Sequence, residues 1–220
     1  MPDKSSLKFI CKGLIGFTTM LLLITGGIIS AQTELPQDPY QRGLVLLNQF
    51  KYAEAKASFD QALAKYPNHK NAFYYRGKCL VELNQQEAAM NDFNKSLNID
   101  SNFALGYVGL AEVYTKNKDY SRAMELVDKA LVLDPKKAEA LYQKGVIYGY
   151  QNKVSEAITY FNSCLEVKPT HAYAHYQLGL AYYQKQRPDL AIVHFEKFLQ
   201  LAPEAPEAPQ VRNLLNFLRR

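Results

Sequence analysis

The stretch AEALYQKGVIYGYQNKVSEAITYFNSCLEVKPTH, residues Ala138 to His171, decides how the chain folds. Leu141, Gly145 and Tyr148 fall at i, i+4 and i+7, one face of a helix. A polar turn follows around Gln151 to Ser155. Ala157, Phe161, Cys164 and Leu165 then fall at i, i+4, i+7 and i+8, the apolar face of a second helix. Pro169 closes the stretch, because proline cannot donate the helical hydrogen bond. Two short amphipathic helices cannot bury their faces alone, so this unit needs neighbours of its own kind.

Those neighbours recur along the chain at a fixed period of 34. The small residue of the first helix is Gly43, Gly77, Ala111, Gly145 and Gly179. That of the second helix is Ala55, Ala89, Ala123, Ala157 and Ala191. One helical turn on stand Phe59, Phe93, Val127, Phe161 and Phe195, and one turn further on Leu63, Leu97, Leu131, Leu165 and Leu199. Small residues let two helices approach closely, and the large ones fill the space beside them. The stop signal is Pro67, Ser101, Pro135, Pro169 and Pro203.

The period and these residues resemble the tetratricopeptide repeat (TPR) family over Pro36 to Ala205. The resemblance implies an all-α fold, a right-handed α-solenoid of five repeats at 36–69, 70–103, 104–137, 138–171 and 172–205. Pro39 opens the first repeat where a large apolar residue is usual, so that helix is expected to be short. Arg42, Arg76 and Lys144 replace the apolar residue seen at Leu110 and Leu178; their stems are expected to pack while the charge reaches water. Phe198 fills a slot that is small in the other repeats.

Residues 1–31 have the pattern of a targeting segment. Lys4, Lys8 and Lys12 precede a charge-free run from Gly13 to Ile29, and Ile29-Ser30-Ala31 resembles a signal-peptidase site. An uncleaved anchor is the rival reading, since the run is close to the ~17-residue minimum for spanning a bilayer. Either reading places the repeats outside the cytoplasm, in the periplasm or cell envelope. Residues 32–35 are a polar linker. Residues 206–220 begin within the Pro/Ala/Glu spacer Glu204 to Pro209 and carry Val211, Leu214, Leu215 and Leu218 on one face, a helix that caps the last repeat or docks a partner.

A net charge of +5, part of it in the targeting segment, is too mild to point to nucleic acid. Cys79 and Cys164 occupy small slots two repeats apart, beyond disulfide reach. His171 and His175 have the i, i+4 spacing of a helical metal pair, but no third ligand is placed beside them, and His175 reads as a packing residue. No nucleophile elbow, phosphate loop or HExxH motif occurs, so no enzyme, cofactor or small-molecule substrate is expected.

One stripe beside the packing face of each first helix stands out. It reads Tyr40, Leu44, Leu47; Tyr74, Lys78, Val81; Val108, Glu112, Thr115; Tyr142, Val146, Gly149; and Tyr176, Leu180, Tyr183. The TPR resemblance places this stripe on the concave groove. Tyrosine combines apolar area with a hydroxyl, which suits a binding surface. The alternative is that the rings shield packing between repeats. Some TPR proteins grip a C-terminal carboxylate with a basic clamp; here Lys78 is the stripe's lone cation, so that clamp is not expected.

These readings combine into a non-catalytic scaffold that takes a protein or peptide segment in a tyrosine-lined groove and meets membrane only through residues 1–31, if they are retained. The expected groove residues are Tyr40, Tyr74, Lys78, Glu112, Tyr142, Val146, Tyr176, Leu180 and Tyr183. Family resemblance suggests assembly of cell-envelope complexes. A self-assembling structural oligomer and a regulator subunit of an enzyme complex are the alternatives.

Overall fold

The computed structural model describes residues 35–219; the expected targeting segment lies outside them. Among the described residues the secondary structure is all helix, eleven in series. The repeats are the pairs α1 (Pro39–Asn48) and α2 (Tyr52–Lys65), α3 (Lys70–Glu82) and α4 (Gln86–Ile99), and α5 (Ala104–Lys116) and α6 (Tyr120–Leu133). They continue with α7 (Ala138–Tyr150) and α8 (Val154–Val167), and α9 (Ala172–Gln184) and α10 (Pro188–Leu201). The helix α11 (Ala208–Leu218) follows. None of these helices is long and apolar enough to cross a membrane.

The helix starts have local causes. Pro39 sits in the first turn of α1, where its missing N–H costs nothing, and α1 has 10 residues against 13 in α3. Side chains cap four first turns: Asp38, His69, Asp119 and His171 accept the N–H of Gln41, Ala72, Arg122 and Ala174.

The first helix of each repeat packs on its own second helix, and α1, α3, α5, α7 and α9 also pack on one another in succession. Among the described residues no even helix packs on another even helix. The chain therefore curves, with α1, α3, α5, α7 and α9 on its inner side. Val211 and Leu215 of α11 join Phe195 and Phe198 in one buried cluster, which covers the end of the last repeat.

The glycine of each first helix exists for the phenylalanine of the second. A Cβ on Gly43, Gly77, Gly145 or Gly179 would stand 2.5–2.6 Å from the ring of Phe59, Phe93, Phe161 or Phe195. The third repeat carries Ala111 and Val127 in these slots, both fully buried. A larger residue on one helix is matched by a smaller one on the other, which conserves volume.

The charged slots differ from the sequence expectation. Arg76 does not send its charge to water. Its guanidinium holds Asp92 through two hydrogen bonds, Nε at 2.6 Å and Nη2 at 2.7 Å, and donates Nη1 to Asp60 at 2.7 Å. Lys144 reaches Asp128 at 2.6 Å and lies over the Tyr160 ring. Arg42 donates to the Ser58 hydroxyl at 3.2 Å and to Gln61. Where the first helix carries a charge in this slot, the facing residue of the second helix is therefore polar or aromatic. Leu110, in the same slot of the third repeat, packs beside Leu126 instead.

Cys79 and Cys164 are free and buried, and burial pushes both thiols up to about 12. They are inert packing residues at neutral pH.

Candidate functional site

The inner side carries a cavity of about 500 Å³ between α5, α7, α8 and α9. Five of the expected residues line it: Glu112, Tyr142, Val146, Tyr176 and Leu180. The other four lie elsewhere. Tyr40 belongs to the first repeat and packs on Phe59 and His69. Tyr74 is only 5% exposed, wedged against Phe93 and Phe103. Tyr183 is 44% exposed and is not part of the cavity wall. Lys78 is bound to Glu112 across one repeat step, so the stripe's cation is neutralised in place.

The tyrosines of the stripe also carry packing. Each ring lies 5.8–6.4 Å from the phenylalanine of the following helix, in the pairs Tyr40–Phe59, Tyr74–Phe93, Tyr142–Phe161 and Tyr176–Phe195. Tyr142 has a second neighbour in His171 at 4.7 Å. These are normal separations for aromatic pairs. Burial raises the Tyr142 hydroxyl above its usual range, while a hydrogen bond with the Gln177 amide opposes this. Tyr142 and Tyr176 thus show one side of the ring to the core and another to the cavity, which holds them rigid.

Sequence reasoning missed the amides. Gln143, Gln177 and Gln184 all line the cavity. Gln143 is buried and donates to the Thr115 hydroxyl at 3.0 Å, which in turn donates to the Ala111 carbonyl. Gln184 donates to Asn152 at 3.1 Å. The available signal was the Tyr-Gln pair repeated at 142–143 and 176–177. The cavity also borders Gly149, where a Cβ would meet nothing within 4 Å. That openness contrasts with Gly145, one turn earlier on the same helix.

The histidines form no ligand set. His171 spends its Nδ1 on capping α9, and His175 turns to His194, with their Nδ1 atoms 3.0 Å apart. Among the described residues no three His, Cys, Asp or Glu side chains converge as metal ligands. The cavity therefore offers apolar and ring surfaces, amides and two charged groups, Glu112, which is paired with Lys78, and Lys116, whose ammonium lies 3.9 Å from Glu82. Such a lining suits a neutral segment of polypeptide better than a charged small molecule.

Tetratricopeptide repeat models match residues 40–104, 104–137 and 142–206. The chain belongs to the tetratricopeptide repeat family. TPR proteins mediate protein–protein interaction, and the fold is typically a non-catalytic scaffold. Outer dynein arm-docking complex subunit 4 of Xenopus laevis is 30% identical over 97 residues, 42% of this chain and 18% of that protein. Hsp70-Hsp90 organizing protein 1 of Glycine max is 28% identical over 92 residues, 42% of this chain and 16% of that one. The chain thus spans less than a fifth of the length of either relative. A thermophilic TPR protein of Thermus thermophilus superposes with a TM-score of 0.70 at 21% identity, covering 83% of this chain and 98% of its own. This likeness shows the TPR fold.

Proposed function

We propose that this TPR protein is an exported or membrane-tethered, non-catalytic scaffold that holds a partner's polypeptide segment in the groove of its last three repeats. The observation that carries the reading is the cavity between α5, α7 and α9, walled by Tyr142, Val146, Tyr176 and Leu180. Its rings are fixed from behind by Phe161 and Phe195, so little side-chain entropy is lost on binding. The partner segment is neutral and apolar, because both charged residues of the wall have partners on the protein, Glu112 in Lys78 and Lys116 in Glu82. Binding should accordingly depend weakly on salt. An exported scaffold of this kind fits assembly of cell-envelope complexes.

Gly149→Phe tests the groove. The new side chain enters open space, so the fold tolerates it, yet the ring fills the cavity. The wild type and the variant are used as paired baits on envelope extract, and a protein held only by the wild type is then titrated against both. The expected result is at least a tenfold loss of affinity with an unchanged melting temperature. Equal affinity for both would reject the groove. Export has its own check. Mass spectrometry of the mature protein should find an N-terminus at Gln32; intact residues 1–31 on a membrane-bound species would replace cleavage by anchoring, and on a soluble cytoplasmic species would reject export.

A further inference from the structure

The turns inside the five repeats share one backbone feature. Phe50, Asn84, Lys118, Asn152 and Gln186 stand one repeat period apart, and all take a left-handed φ between 57° and 64°. Asparagine accepts that conformation readily, whereas a bulky ring rarely does. Four of the turns carry a polar side chain there. The first carries phenylalanine, and its ring is not left in water.

Phe50 packs against the buried cluster of the last repeat and α11, which contains Phe198, Ala205, Val211 and Leu215. Tyr52 accompanies it, its ring edge-on to Phe50 at 6.4 Å. Burial pushes the Tyr52 hydroxyl up to about 12, with further pushes from the carboxylates of Glu82 and of Glu207, the residue that precedes α11. The Glu207 carboxylate also accepts the hydroxyl of Tyr173 at 2.9 Å. The first turn of the solenoid therefore rests on its last repeat, and the arc closes on itself. Among the described residues no helix of the first repeat packs on α9, α10 or α11. The closure rests on this turn, so it can part without unfolding a repeat.

We propose that Phe50 occupies a site for a partner's aromatic residue at the end of the last repeat, so that the free protein fills this site with its own first turn and a segment bearing phenylalanine or tyrosine displaces it. This builds on the groove reading and names the partner's anchor. The site is apolar, set in the cluster that includes Phe198, Val211 and Leu215, with the Glu207 carboxylate and Tyr173 hydroxyl at hand for a hydroxyl or amide beside the ring. A tethered competitor acts at an effective concentration of order millimolar. A partner's apparent affinity is reduced in proportion to the fraction of molecules that are open. Phenylalanine in a left-handed turn makes sense as the residue that closes the arc; the other turns have no such task and keep polar side chains.

The test needs no identified partner. Phe50→Asn installs the residue of the second and fourth turns, and Phe50→Gly takes the same φ at no steric cost. Small-angle X-ray scattering reports whether the arc opens, and circular dichroism checks the helices. The probe is a labelled peptide with the sequence of residues 46–54, LLNQFKYAE, and a second peptide carries Asn in place of Phe. Both variants should keep their helicity, show a larger maximum dimension than wild type, and bind the first peptide at least tenfold more tightly than wild type does. The second peptide should not bind. Unchanged dimensions in both variants, a peptide affinity equal to that of wild type, or equal binding of the two peptides overturns the proposal. Neither readout involves Gly149, so failure here leaves the groove reading standing, and the two proposals fail separately.

Discussion

Asp92→Ala should lower stability by about 3–5 kcal/mol, because it strands a charge that the fold has taken out of water. Asp92 is 2% exposed, and its two oxygens receive Arg76 Nε and Nη2. Those hydrogen bonds, with Asp60, raise the already high pKa of the guanidinium, so it cannot escape by deprotonation. With Asp92 gone, Arg76 keeps only Asp60, which is more exposed and is shared with Lys56 at 2.9 Å. The third repeat shows the apolar solution to the same slots, Leu110 beside Leu126. The double replacement Arg76→Leu with Asp92→Leu should therefore recover most of the loss and fall within about 1–2 kcal/mol of wild type. Urea melts of the three proteins measure this. A single variant as stable as wild type would mean that the pair contributes nothing; a double variant as unstable as the single would locate the loss in packing.

That pair marks the limit of what one sequence discloses. The fixed period made the fold legible, since small and large slots kept phase through five copies and each slot glycine meets the phenylalanine of its partner helix. The charged slots broke the apolar pattern, and in isolation they resemble snorkelling stems. The offset that joins glycine to phenylalanine in the small slots has a counterpart here, linking Arg42 to Ser58, Arg76 to Asp92 and Lys144 to Tyr160. The information was present, but as pairs between helices, whereas helical periodicity describes one helix at a time. The site was legible to a lesser degree for a related reason. Helical phase put the tyrosines on the inner side, yet it could not say which were covered. Tyr74 is covered, with Phe103 edge-on to it at the start of the following repeat, whereas Tyr142, with His171 in the equivalent position, still borders the cavity. Closure of the arc by Phe50 depends on curvature summed over five repeats, which no local pattern encodes.

Acid should weaken the last two repeats through their histidines, over a pH range set by the shifts themselves. Burial, helped by Lys168, lowers His171 to about 4, and burial next to His175 lowers His194 to about 4. Burial, with Lys197 nearby, also lowers His175. Folded values below the unfolded value of 6.5 mean that the unfolded chain binds protons first. Stability from these rings is complete above about pH 6.5 and is lost as pH falls from there toward about 4. Each of His171 and His194 should account for roughly 2–3 kcal/mol after allowance for partial exposure. Geometry gives the shifts a cause. His171 Nδ1 accepts the Ala174 N–H, so a proton there removes the cap of α9. His175 Nε2 faces the Pro169 carbonyl at 3.1 Å and so carries the hydrogen, which leaves its Nδ1 to accept from His194. That bond holds one proton, so protonating both rings breaks it. Asp60, Asp100 and Asp134 titrate below the ordinary carboxylate range and add losses only at lower pH. Urea melts at about pH 7 and about pH 4.5 should show the drop. His171→Asn keeps a capping acceptor without the titration, and His194→Phe keeps the ring, so each should remove about half of it. An unchanged drop in both variants would reject these histidines as its source. Because His171 also backs Tyr142, a wall of the cavity, the same protonation should loosen the groove before the solenoid unfolds.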